Sequence, residues 1–358
     1  MASPTGPPSA TADYAEPGHG RPPGPVRKLG PMSVERVNLG DEAEARDPAV
    51  LEAPAAQGDP EALPRPRVLL LINAGKEPVI EALRTFRPWL DERADVVGQF
   101  ETGATADRRE PLPDADVAMV LGGDGTFLSQ ARILVDRRVP MLGINFGKVG
   151  FLAEWDIGYV QRHWASIACG GCRVTQRILM DVDVYGPDVP LYETDAAEPL
   201  STHLAMNDAV INAGPPYRVC EFDLAIEPAA VRRPAVTIAG DGIVVSTPSG
   251  STAYNLSAGG PIVSPGVEAM MITALSPYTL AFRPIVFDAD ADVWITLTRG
   301  NDGTALVIDG QAAAVLEEGS HVHVRRHSPM LTLIQNPELT YWSMLSHKMR
   351  WAVRPRKD

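Results

Sequence analysis

Gly122-Gly123-Asp124-Gly125-Thr126 sets a single carboxylate inside a run of glycines. The residues before it, Val117 to Leu121, are continuously apolar, and Phe127 to Val135 after it are amphipathic. A strand that runs through glycines into a helix lets backbone N–H groups approach a phosphate, and the helix N-terminus adds partial positive charge. Gly122, Gly123, Gly125 and Thr126 are the candidate phosphate cradle. Asp124 adds no phosphate affinity, so its presence points to chemistry on a hydroxyl or a metal. A plain N-cap would explain the carboxylate but not the three glycines around it.

A second stretch has the makings of a binding surface: Asp241-Gly242-Ile243-Val244-Val245-Ser246-Thr247-Pro248-Ser249-Gly250-Ser251-Thr252-Ala253-Tyr254. It reads as a strand, a turn and a short helix that starts on small hydroxylated residues. Ser251 and Thr252 can cap that helix and still offer oxygens to a ligand. Tyr254 offers a flat face for a base.

The string resembles the D-G-…-S-T-P-T-G-S-T-A-Y segment of NAD kinases, and GGDGT resembles the turn these share with diacylglycerol kinases, sphingosine-type lipid kinases and phosphofructokinases. Asn145-Phe146-Gly147-Lys148-Val149-Gly150-Phe151-Leu152 is similar to the family's N-x-G-x-x-G-F-L. Asn207-Asp208, Arg283-Pro284-Ile285-Val286, Leu306 to Gln311 (with Asp309-Gly310-Gln311) and Tyr341 to Leu345 follow in family order. The resemblance spans roughly Val68 to Trp351. Ser249 replaces a family Thr, Tyr278 stands where His is common, and Ala239 stands where many members have Arg or Lys.

The resemblance implies transfer of the γ-phosphate of ATP to the 2′-hydroxyl of the adenosine ribose of NAD, giving NADP. A ribose hydroxyl is a poor nucleophile, and a carboxylate in reach can take its proton, so Asp124 is the candidate general base. By resemblance NAD contacts fall on Asp124, Gly125, Asn207, Asp208, Arg218, Ala239, Asp241, Thr252, Ala253, Tyr254, Asn255, Leu256, Ser257 and Gln311. No dedicated metal-ligand cluster stands out, so Mg²⁺ is expected to arrive with ATP. A homodimer or homotetramer is expected. Two other readings stay open. A lipid kinase would share GGDGT but lack the second string. A protein that only senses NAD would keep the binding residues and lose Asp124.

The elements that position these residues fall into two textures. Val68 to Ile72 is an apolar run, and Glu77 to Asp91 has helical spacing at Val79, Leu83, Phe86 and Leu90. Strand and helix keep alternating through Val139 to Ile144, which predicts a parallel sheet covered by helices. From about residue 172, short alternating segments predict a mostly antiparallel β domain: 177–185, 203–212, 221–226, 235–246, 293–297, 305–308, 321–325 and 330–334. Glu338 to Trp351 returns to helical spacing. The expected order is a disordered Pro/Ala-rich tail over 1–65, an α/β phosphate-binding domain over 66–160, a β-rich NAD-binding domain over 161–335, and a C-terminal helix over 336–358 that packs back on the first domain. The stretch between Asp183 and His203 reads as an extra exposed hairpin tip. His321 and His323 alternate with Arg325 and read as a solvated face.

Composition sets the limits. The 358 residues carry a net charge of −13 and are 45% hydrophobic, which suits two packed domains and disfavours a nucleic-acid partner or an anionic membrane. No run approaches the roughly 18 apolar residues that span a bilayer, and the first twenty lack an apolar signal core, so a cytoplasmic location is expected. Three cysteines make a disulfide framework unlikely as a design. Cys169-Gly170-Gly171-Cys172 has no second pair to complete a zinc site and ends a helix rather than starting one, so the glycines read as a helix C-terminus.

Overall fold

A computed structural model describes residues 63–102, 112–147, 150–191, 194, 197–227, 234–279 and 281–350. Residues 1–62 of the expected tail and 351–358 of the expected C-terminal helix lie outside the described residues.

The first sheet has the order β2-β1-β3-β4-β18-β5. Its members are β1 (Arg67–Ile72), β2 (Asp95–Glu101), β3 (Val117–Leu121), β4 (Met141–Ile144), β5 (Val174–Arg177) and β18 (Leu331–Ile334). All neighbours run parallel except β5, which is antiparallel to β18. β3, and β1 after Arg67, are apolar throughout because both faces of this sheet are covered. Helix α1 (Glu77–Asp91) buries Val79, Phe86 and Leu90, and α2 (Asp124–Leu134) buries Phe127, Ala131 and Leu134. Two short helices, α3 (Ile157–Arg162) and α4 (Trp164–Ala168), follow β4.

The remaining strands form two antiparallel sheets around one shared core. One holds β6 (Met180–Tyr185), β7 (Ser201–Ala205), β9 (Cys220–Ile226), β10 (Val236–Gly240), β14 (Val293–Arg299) and β17 (His321–Arg326). The other holds β8 (Asp208–Asn212), β11 (Gly242–Ser246), β12 (Ala269–Leu275), β13 (Ile285–Asp288), β15 (Ala305–Ile308) and β16 (Gln311–Val315). Met180, Val182, Phe222 and Val293 of the first meet Ile211, Val245, Ile272 and Leu306 of the second. The short helix α5 (Tyr254–Ser257) follows a 3-10 turn, and α6 (Tyr341–Met349) closes the described chain with a Thr340/Ser343 capping box.

Four expectations need correction. The boundary at 160/161 divides the first sheet, because β5 and β18, both beyond it, hydrogen-bond into that sheet. The segments 203–212 and 235–246 are not single strands. Each breaks in the middle, at Met206-Asn207 and at Asp241, and its halves join different sheets. His321 and His323 are buried, at 7% and 9% exposure. His321 Nε2 lies 3.1 Å from the Val189 carbonyl, and His323 stacks on Trp294 at 3.9 Å, so the extra loop after β6 covers this face instead of standing clear of it. The helix before Cys169 is broken at His163 into α3 and α4, but Gly170 has φ +65° and the Gly171 N–H donates to Ser166, as at a helix C-terminus.

Candidate functional site

The glycine turn connects β3 to α2. Gly123 is the N-cap of α2 and no side chain caps the first turn, so its N–H groups stay available. The Thr126 hydroxyl accepts a hydrogen bond from Asn73 Nδ2 at 3.0 Å, which ties the turn to the end of β1. Lys76 is exposed, and its Nζ lies 3.5 Å from where a Cβ on Gly123 would be. The turn thus has a cation beside its glycines.

Asp124 points away from the glycines toward the segment after β4. Its Oδ2 accepts the Phe151 N–H at 2.9 Å, and its Oδ1 accepts those of Leu152 at 3.2 Å and Ala153 at 3.0 Å. Gly150 makes this approach possible, since a Cβ there would collide with the Asp124 carboxylate. A carboxylate offers about four lone-pair sites. Among the described residues both on Oδ1 are taken and one on Oδ2 is not.

A second carboxylate organises the other half. Asp309 has φ +48°, the left-handed conformation of a tight β15–β16 turn, and its side chain is 1% exposed. Its Oδ1 accepts the N–H groups of Asn207 at 2.7 Å and Asp208 at 3.2 Å, and its Oδ2 accepts that of Met206 at 3.1 Å. Arg132, two turns along α2 from Asp124, reaches Asp309 Oδ2 at 3.2 Å. Gly250 lets the second string close over this corner, because a Cβ there would strike the Asn207 carbonyl.

Two hollows flank Tyr254. The first, about 320 Å³, is lined by Asn207, Asp208, Ala253, Tyr254, Asp309 and Gly310, with Val210, Asn212 and Val307. The second, about 800 Å³, is lined by Asn212, Ala213, Tyr217, Asp241, Tyr254 and Ser257, with Ala258, Leu275 and Ser276. Asn212 and Tyr254 belong to both walls. The sites where strands change sheets, at Asn207 and Asp241, supply one polar residue to each hollow.

The expected binding residues therefore separate. Asn207, Asp208, Ala253 and Tyr254 share the first hollow, and Asp241, Tyr254 and Ser257 the second. Thr252 and Leu256 are half-buried in the same turn and helix but line neither. Asn255 is fully buried and serves the fold: its Nδ2 donates to the Pro261 carbonyl at 3.1 Å, and its Oδ1 accepts the Thr273 hydroxyl at 2.7 Å. Gln311 lies beside Arg132 in a separate hollow with Thr202, His203 and Leu204. Arg218 is exposed, and Ala239 accepts the Tyr278 N–H through its carbonyl; neither lines the two hollows. Asn73, Lys76, Asn212, Tyr217 and the organising role of Asp309 escaped the sequence reading. The Asn-x-x-Lys that ends an apolar run directly before a helix was the available signal for the first pair.

Burial pushes the Asp208 carboxyl up to about 7, with Asp309 adding to the rise, while the Tyr254 N–H that donates to it pulls the other way. Burial likewise raises the Cys172 thiol to about 11, so it stays protonated at neutral pH. The described residues contain no group of three or more His, Cys, Asp or Glu placed to hold a metal ion.

The comparisons agree with this geometry. Residues 85–171 match the family model described as the ATP-NAD kinase N-terminal domain, and residues 206–335 match the ATP-NAD kinase C-terminal domain. The NAD kinase of Geobacter sulfurreducens is 38% identical over 240 residues, covering 67% of this chain and 80% of that protein. The NAD kinase of Acidobacterium capsulatum is 30% identical over 298 residues, covering 80% and 99%. Among solved structures, yeast NADH kinase complexed with NADH superimposes with a TM-score of 0.69 at 22% identity, over 82% of this chain and 90% of that one. An NAD kinase from Archaeoglobus fulgidus in complex with ATP superimposes with a TM-score of 0.58 at 20% identity, over 79% and 98%. With both halves of the family matched in order, and the glycine turn and the Tyr254 hollows each inside or directly bounded by those halves, the chain belongs to the ATP-NAD kinase family and is an NAD kinase.

Proposed function

We propose that this enzyme transfers the γ-phosphoryl group of ATP to the 2′-hydroxyl of the adenosine ribose of NAD, forming NADP and ADP. The observation that supports this best is the pair of hollows sharing Tyr254 and Asn212, a layout suited to a ligand with two nucleosides. In the transfer, the ribose O2′–P bond forms as the bond from Pγ to the β-phosphate bridging oxygen breaks. The hydroxyl proton passes to Asp124. Oδ2 is the acceptor, since among the described residues it holds one N–H group and Oδ1 holds two. The N–H groups at Gly123 to Gly125 and the Lys76 ammonium face the donor phosphates. Mg²⁺ arriving with ATP would supply charge neutralisation for the donor phosphates. Asn207 and Asp208 hold one nucleoside and Asp241 and Ser257 the other, with Tyr254 against a base.

The protein acts in the cytoplasm as a homodimer or homotetramer. Tyr217 and Tyr278 are 74% and 83% exposed near Arg218 and Ala239, which suits contacts made across such an interface. The test is incubation of the purified protein with NAD, ATP and Mg²⁺ and assay of NADP. Asp124→Asn is expected to lower turnover about 10²–10⁴-fold while NAD binding persists. Near-normal turnover of that variant removes Asp124 as the base, and transfer to diacylglycerol without NADP removes the whole reading.

A further inference from the structure

Glu154 directly follows Ala153, whose N–H group helps hold Asp124. It is 3% exposed. Its carbonyl accepts Asn336 Nδ2 at 3.2 Å, and its Oε2 faces the Asn336 N–H at 3.4 Å, just beyond β18. Arg177 on β5 is 2% exposed, and its Nε–H has no hydrogen-bond partner among the described residues. Burying a carboxylate and a guanidinium costs several kcal/mol of hydration, and neither group has a part in the transfer described above.

We propose that Glu154 is a positioning residue for the phosphoryl transfer: it anchors to Asn336 the Phe151–Ala153 segment whose N–H groups hold Asp124. The inference rests on Asp124 being the base. The segment is gripped on both sides, by Asp124 through its N–H groups and by Asn336 through Glu154. An ionised carboxylate accepts the Asn336 N–H more strongly than a protonated one, so the charged form of Glu154 holds the segment more firmly.

The charged groups facing Glu154 are Arg177 on β5, Arg173 just before it, and Asp124 on α2. Burial pushes the Glu154 carboxyl up to about 7 against the pull of Arg177, the Asn336 N–H and Arg173, and Asp124 adds to the rise. Glu154 therefore changes charge in the neutral range, and its charged form, present at higher pH, is the one that holds the segment around Asp124 in place.

The test is kcat against pH at saturating NAD and ATP. In the native enzyme kcat is expected to rise as pH passes through about 7. Glu154→Gln keeps an acceptor for Asn336 but carries no charge. It is expected to abolish that rise and hold kcat about tenfold below the native alkaline plateau, with both KM values within about twofold. If Glu154→Gln does not fold, Arg177→Gln is expected to move the rise to higher pH, because the cation that favours ionised Glu154 is gone. An unaltered rise in the variant that folds, or a change in KM alone, overturns the proposal. Asp208 titrates in the same range, but saturating NAD removes its contribution to binding, so Asp208→Asn should keep the rise. An inactive Asp124→Asn beside an unaltered Glu154→Gln profile rejects this inference alone, whereas an active Asp124→Asn rejects the base itself.

Discussion

Arg132 and Asp309 stand 177 residues apart in the chain and 3.2 Å apart in the fold. Arg132 rides on the helix that starts at Asp124. Asp309 holds the N–H groups of Asn207 and Asp208. One ion pair thus links the helix that starts at Asp124 to the corner that shapes the first hollow.

Arg132→Met leaves Asp309 buried, with its three N–H donors but no counter-cation. A loss of about 1–3 kcal/mol is expected, read from a chemical denaturation midpoint, together with a raised KM for NAD. A variant with native stability and native KM would show that the ion pair does not couple the two halves.

Lys76 has a different signature. Its ammonium sits at the glycine turn, away from the Tyr254 hollows. Lys76→Met is expected to raise the KM for ATP about tenfold and that for NAD by less than about twofold. The KM for ATP should also become less sensitive to salt, since a screened attraction has been removed. Equal effects on both substrates would place Lys76 outside the phosphate site.

Asp208 gives a stability prediction with a definite sign. Its folded carboxyl titrates near 7 and the unfolded one near 3.8. Between those values the folded state binds the extra proton, so stability falls as pH rises from about 4 to about 7. Glu154 contributes in the same direction. Asp208→Asn is expected to flatten part of the decline in Tm across this window. A decline as steep as the native one would mean that Asp208 ionises normally in the fold.

The sequence made the alternating first half and the β-rich second half legible, because apolar runs and period-two patterns report burial directly. Helix α1 was read at its observed bounds. The strand breaks at Asn207 and Asp241 were not legible, since the apolar alternation runs through them and only the competition between two sheets separates the halves. β5 and β18 were assigned by neighbourhood in the chain, but a sheet recruits strands by its open edge. His321 and His323 looked solvated because a charged alternation cannot reveal a loop folding over it. At the site, motifs named Asp124, Asn207, Asp208 and Tyr254. They did not reveal that Asn255 faces inward, since a buried Asn bonded to Thr273 and one bonded to a ligand look the same in sequence.

The wall shared by the two hollows, Tyr254 with Asn212, acts as a ruler. On the proposed reading, each hollow grips one end of a tethered pair, and docking one end presents the other at an effective concentration of about millimolar. A mononucleotide fills a single hollow and gains none of this avidity. Selection for a dinucleotide at these hollows then comes from the spacing of two modest grips, and neither grip need be strong enough to trap the product.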